Sequence, residues 1–178
     1  MRGPLACINL VLALFVAASA SAGPDPAPTL HAARKPKAVK RFRVHVESKH
    51  DIPERSLIVE LGKPNPVKFT AEKLPILNEV HVTKAALLDE IGGFKVQISF
   101  NTLGAKILES YTAAAAGRHL LIMTEIDGEA RWLGAPLIRR RLGDGVLEFV
   151  PNATREDMER MVSGLNKEVR KNKSLLLD

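Results

Sequence analysis

Five histidines, His31, His45, His50, His81 and His119, are the side chains best suited to metal or proton chemistry. No two stand in an H-x-x-x-H pair and none has a cysteine at ligand spacing, so no zinc motif is present. Glu125, Asp127 and Glu129 alternate about an Asp-Gly pair. An acid–base pair would need convergent geometry and one displaced pKa, whereas a tight turn flanked by solvent-facing acids needs neither. Ser56, Ser99 and Ser110 lack a G-x-S-x-G setting, and Gly92-Gly93 is not followed by the Gly-Lys-Ser/Thr of a phosphate loop. Asn152-Ala153-Thr154 fits a glycosylation sequon, but Thr154 is better placed as a helix cap. No nucleophile, metal set or cofactor motif emerges, and the expectation is a non-enzyme with no cofactor.

Interaction chemistry is better represented. Trp132 is the only tryptophan and stands beside a turn, near Pro136. It is either a core or lid aromatic or a contact residue. Arg139-Arg140-Arg141 cannot all face one side of a strand. They read as a solvated edge whose charge blocks edge-to-edge pairing, or as an exposed edge that accepts an extended peptide by strand addition.

The elements that must position these residues follow from apolar periodicity. RFRVHVE (41–47) and SLIVEL (56–61) alternate as strands, and the polar stretch between them predicts a hairpin. Short strands are expected at Val67–Thr70 and Glu79–Val82. Residues 83–91 fit either a short helix or one arm of a hairpin turning at Gly92-Gly93. FKVQISF (94–100) is a strand. Asn101 caps a helix to about Ala116, with Leu103, Ile107, Leu108, Tyr111 and Ala115 as its stripe and Gly117 as its stop. HLLIMTEI (119–126) is a nearly unbroken apolar strand, hence a central one. EARWL, PLIRR and GVLEFV are further strands. The last helix opens on Thr154 and Asp157 and buries Met158, Met161, Val162 and Leu165. The expected fold class is α+β: a mixed, mostly antiparallel sheet with two main helices packed on one face.

The chain of 178 residues opens with Met-Arg, an apolar run over 10–18 and an Ala20-Ser21-Ala22 site. These are the parts of a secretory leader, residues 1–22, cleaved after Ala22; an uncleaved anchor is the alternative. The only cysteine, Cys7, lies within it, so the mature chain can form no disulfide. Residues 23–40 hold four prolines and read as a basic linker. Residues 41–167 form the single folded domain and 168–178 a charged tail. The net charge of +6 is concentrated outside the domain, which carries 18 basic and 17 acidic residues. With aromatics at 4%, a nucleic-acid surface is not expected. Residues 34–43 are left as a weak, salt-sensitive contact for anionic surfaces. No other segment is long enough to span a bilayer, so no membrane insertion is expected once the leader is removed.

Across residues 79–166 three stretches stand in a characteristic order: FKVQISFNTLGAKILESYT, GRHLLIMTEIDGEARWLGAPLIRRRLGDGVLEF and NATREDMERMVSGL. This order resembles the head of the first large periplasmic domain of SecD, the membrane protein that assists Sec-dependent export. The matching positions are Gly104, Thr112, Asp127-Gly128, Ala135-Pro136-Leu137-Ile138, Gly145 and Thr154 to Asp157. SecD itself has multiple transmembrane helices and a second periplasmic subdomain, and neither is legible here. The resemblance implies an exported, periplasmic or extracellular, non-enzymatic head module that binds a polypeptide or an envelope protein. The alternative is a structural or assembly module of the envelope anchored by its basic arm.

Overall fold

The computed structural model describes residues 41–50, 52–62, 64–126 and 128–175. In chain order the strands and helices are β1 (Phe42–Val46), β2 (Ser56–Leu61), β3 (Val67–Glu72), β4 (Leu77–Asn78), β5 (Val82–Glu90), β6 (Gly93–Phe100), α1 (Thr102–Ala114), β7 (Leu120–Ile126), β8 (Glu129–Gly134), β9 (Val146–Phe149) and α2 (Arg155–Leu175). Every strand pair is antiparallel, which makes the class α+β. The strands divide among three sheets rather than one: β4-β1-β7-β8, β2-β3 and β5-β6-β9.

The apolar run of β7 explains this division. Leu120, Ile122 and Ile126 point into the main core with Phe42, Val44 and Val46 of β1, while Leu121 points into a second core with Val59, Leu61 and Ala71. A strand apolar on both faces needs cover on both faces. The β5-β6-β9 sheet and the two helices contribute to the main core, and the β2-β3 hairpin supplies the second.

The expected hairpin between residues 41–47 and 56–61 is not formed. β1 pairs with β7, from Phe42↔Thr124 to Val46↔Leu120, and β2 pairs with β3. The burial patterns give the reason. β1 is buried at Phe42, Val44, His45 and Val46, so it belongs inside a sheet, whereas β2 exposes Ile58 and Glu60 and is covered on one side only. Residues 83–91 resolve as a hairpin arm: β5 meets β6 from Val82↔Phe100 to Glu90↔Gly93, with Gly92 at φ +86° in the turn. The strand expected at 79–82 is instead a single 3-10 turn, Glu79–His81, capped by Asn78.

Asn101 caps α1 by accepting from the Gly104 N–H at 2.8 Å, as its position implies. The buried stripe is rotated from the expected one. Gly104, Leu108, Thr112 and Ala115 face inward, while Leu103 and Tyr111 are 59% and 40% exposed. Close approach decides the rotation: a Cβ on Gly104 would stand 2.9 Å from the Cβ of His81 and 3.0 Å from that of Phe100. A glycine at that contact is worth more than a leucine that would not fit. Thr112 is tolerated inside because its hydroxyl donates to the Leu108 carbonyl at 2.7 Å and accepts from the Leu142 N–H at 3.0 Å.

In α2, Met158, Met161 and Leu165 are buried and the Thr154 hydroxyl accepts from the Asp157 N–H at 3.2 Å, as the pattern predicts. The helix runs on to Leu175, through residues expected to fray, and Val169 packs against the main core. Asn166 ties it to β5, accepting from the Ala85 N–H and donating to the Ala85 carbonyl, both at 2.9 Å.

Gly145 has φ +69°, and a Cβ there would lie 2.7 Å from the Cβ of Ala105 on α1. Gly92, at φ +86°, has nothing within 4 Å of an added Cβ. Gly145→Ala therefore combines backbone strain with overpacking and should cost about 3 kcal/mol, against about 1 kcal/mol for Gly92→Ala. Urea unfolding of the two variants measures the difference; equal costs would mean that the Gly145–Ala105 contact does not constrain the fold.

Candidate functional site

Pro136–Arg140 is not a strand. Leu137 makes a single bridge to His119. The segment is held by the Leu120 N–H on the Pro136 carbonyl (3.0 Å), the Ile138 N–H on the Arg118 carbonyl (2.8 Å) and the Gly117 N–H on the Ile138 carbonyl (3.0 Å). Pro136 donates nothing, and beyond Arg141 the chain is drawn to α1, where the Leu142 N–H donates to the Thr112 hydroxyl, so the ladder does not propagate. The three arginines separate as one edge strand would not separate them. Arg141 turns back to Glu109 of α1, its Nε donating at 2.8 Å. Arg139 and Arg140 are exposed.

The segment forms one wall of a groove whose other wall is β9. Two adjoining cavities of about 260 and 570 Å³ share Pro136, Leu137, Arg139 and Glu148. Arg140 and Asp144 stand at one end, Ala135 and Lys95 at the other. The Glu90 carboxylate, hydrogen-bonded to Lys95, holds its amine above the ordinary range.

β9 is terminal in its sheet, and its free edge faces this groove. The Phe100 N–H donates to the Gly145 carbonyl at 2.9 Å, and the register Ser99↔Val146 continues from there. By antiparallel alternation, Leu147 and Phe149 turn their backbone groups to β6, and Val146 and Glu148 turn theirs outward. The Val146 N–H is met by the Asp144 side chain at 3.1 Å. The Val146 carbonyl and both backbone groups of Glu148 have no partner among the described residues and could pair with an added strand. The outer edge of β8, also terminal, is less accessible, because its Leu133 carbonyl already accepts from the Asn152 N–H at 2.6 Å.

Trp132 does not share this groove. It is half-buried against the second core, with its ring edge-on to His45 at 5.3 Å. Ala135 and Pro136 join the groove wall, and Gly104 and Gly145 seat α1. Gly128, at φ +90°, carries the β7–β8 turn; Asp127, the leader with its Ala22 site, His31 and residues 34–40 lie outside the described residues. Glu125 pairs with Arg41 (3.4 Å) and Glu129 with Arg131 (3.4 Å), so the two acids are turned to separate partners. His119 meets Glu47 at 2.6 Å. Among the described residues no group of three or more His, Cys, Asp or Glu is placed to hold a metal ion, and no helix is long and apolar enough to cross a membrane. The free edge of β9 was missed in the sequence because GVLEFV has the same alternation whether a strand is internal or terminal.

No protein-family model matches the chain, and no curated protein matches it. Solved structures do. The membrane component SecDF, described as enhancing protein export, superposes with a TM-score of 0.52 at 16% identity, over 72% of this chain and 63% of that one. SecDF in its super-membrane-facing form gives 0.51 at 17% identity, over 71% of this chain and 18% of that one. The fold is SecD-like. The likeness is one of fold, and the chain spans less than two thirds of either SecDF chain.

The SecD-like domain also buries a histidine where its second core meets β1. His45 is 2% exposed, and its Nδ1 lies 2.8 Å from the Glu72 carbonyl, which requires Nδ1–H and leaves Nε2 without a partner among the described residues. Burial lowers the pKa from its ordinary 6.5, against the opposing pull of the Glu72 carbonyl, and the Arg43 charge lowers it further. The folded ring resists a proton that the unfolded chain accepts. Stability contributed by the neutral ring is complete above the unfolded value and is lost as pH falls below it. Between about pH 7.5 and 5.5, His45→Phe should show a flatter decline in urea midpoint than the parent. Parallel declines would remove His45 as a cause of acid sensitivity.

Proposed function

We propose that this chain is an exported, non-enzymatic domain that binds polypeptide in extended form along the free edge of β9. The observation that supports this most is the outward-facing backbone of Val146 and Glu148 opposite the Pro136–Arg140 wall. Backbone pairing is indifferent to side-chain identity, which suits an unfolded substrate of varied sequence. The apolar wall at Pro136 and Leu137 offers modest side-chain contact, and Arg139 and Arg140 favour acidic segments. The SecD-like fold supports the reading, since the SecDF it resembles enhances protein export. The leader over residues 1–22 supports delivery outside the cytoplasm, to the periplasm or beyond.

Fluorescence anisotropy of residues 23–178 with a labelled, permanently unfolded polypeptide tests this. Saturable binding should survive ~0.3 M salt, where long-range charge effects are screened. Glu148→Pro removes an N–H that points away from β6, so the sheet should stand while affinity falls about tenfold, the equivalent of roughly one lost hydrogen bond. Unchanged affinity in this variant, with its circular dichroism intact, would rule out the β9 edge. Arg139→Ser/Arg140→Ser should weaken binding at low salt and matter little at ~0.3 M.

A further inference from the structure

A further cleft lies away from the groove, between the β1–β2 loop and the end of β3. Its volume is about 630 Å³. The loop is internally built. Arg55 and Ser56 both donate their N–H to the Ile52 carbonyl at 2.8 Å. The buried Ser56 hydroxyl accepts from the Ile52 N–H at 3.1 Å and donates to the His50 carbonyl at 3.3 Å. The Lys73 N–H donates to the Arg55 carbonyl at 2.8 Å, which pins the loop to β3's end. The rim is therefore held in place by backbone bonds before anything binds.

Four permanent cations line this cleft, Lys49, Arg55, Lys73 and Arg118, against two carboxylates, Glu54 and Glu72. Arg118 is mostly buried, donates to the Glu47 carbonyl at 2.9 Å and pairs with Glu72 at 3.9 Å, so the cations left facing the cleft are Lys49, Arg55 and Lys73, against Glu54. Beside these charges stand two apolar side chains facing solvent, Leu74 at 81% exposed and Ile52 at 41%. Exposed apolar side chains and cations lining one cleft combine the two attractions that hold a peripheral protein to an anionic bilayer: tip insertion and headgroup pairing.

We propose that this cleft docks the domain on an anionic membrane surface, with a lipid phosphate among Lys49, Arg55 and Lys73 and with Leu74 and Ile52 entering the interface. The site is separate from the β9 groove, so either can fail without the other. The test is sedimentation of residues 23–178, which retain every described residue, with phosphatidylcholine vesicles containing roughly a third phosphatidylglycerol. The basic linker is present in every variant, so differences report the cleft alone. Lys49→Glu/Arg55→Glu/Lys73→Glu should lower partitioning at least about tenfold, since each cation near such a surface contributes about 1 kcal/mol. Leu74→Ser, at a side chain too exposed to matter for folding, should lower it about threefold without altering charge. Absence of partitioning by the parent overturns the proposal. So does partitioning by both variants equal to the parent's, which would assign the attraction to the linker. Binding of glycerol phosphate without vesicle binding also overturns it, in favour of a small-anion site.

Discussion

β7 has to be hidden on both faces and paired on both edges, and much of the molecule can be understood as the means of doing so. Leu120, Leu121, Ile122 and Ile126 are each almost entirely buried, and each large apolar side chain so placed contributes about 2 kcal/mol. β1 and β8 take its edges. One face receives the main core and the other the β2-β3 hairpin. Polar atoms along the strand are met locally: the Thr124 hydroxyl donates to the Arg41 carbonyl at 3.0 Å, which ties the residue before β1 to β7.

The two cores differ in chemistry. The main one is almost wholly aliphatic and aromatic, joined by the methionines of α2. The second is smaller and has the His45 and Trp132 rings against it in a T-shaped contact. A buried neutral imidazole with one unpaired nitrogen is a weak point in an otherwise apolar joint, because protonation there would strand a charge. The end of the hairpin also frames the cationic cleft.

The proposed function rests on an edge left open by this arrangement. The β5-β6-β9 sheet ends on a four-residue strand, and the chain that leaves β8 crosses opposite it through Pro136 without completing a ladder. An unpaired edge is ordinarily a hazard for aggregation. Here it is short, bears Glu148, and lies beside a wall carrying Arg139 and Arg140, so casual pairing is discouraged while a single extended chain has room. The groove is braced by α1, which holds Arg141 through Glu109 and Leu142 through Thr112.

Much was legible from the residues alone. The caps at Asn101 and Thr154, the stripe of α2, the centrality of HLLIMTEI and the Gly92-Gly93 alternative all follow from local rules, since capping, helical period and turn chemistry act over a few neighbours. The ordered SecD-like stretches are likewise a property of the sequence, while the expected leader over residues 1–22 lies outside the described residues. What it could not decide was partnership. Alternation in RFRVHVE and SLIVEL specifies strands, but pairing depends on which faces are later covered, and β1 joined β7 instead of β2. The inward face of α1 was set by Gly104 meeting His81 and Phe100, residues brought together only by the fold. Arg139, Arg140 and Arg141 look equivalent in sequence; tertiary structure gave Arg141 to Glu109 and left the other two at a groove. Local chemistry is written residue by residue, whereas edges, faces and clefts exist only once distant segments have excluded water together.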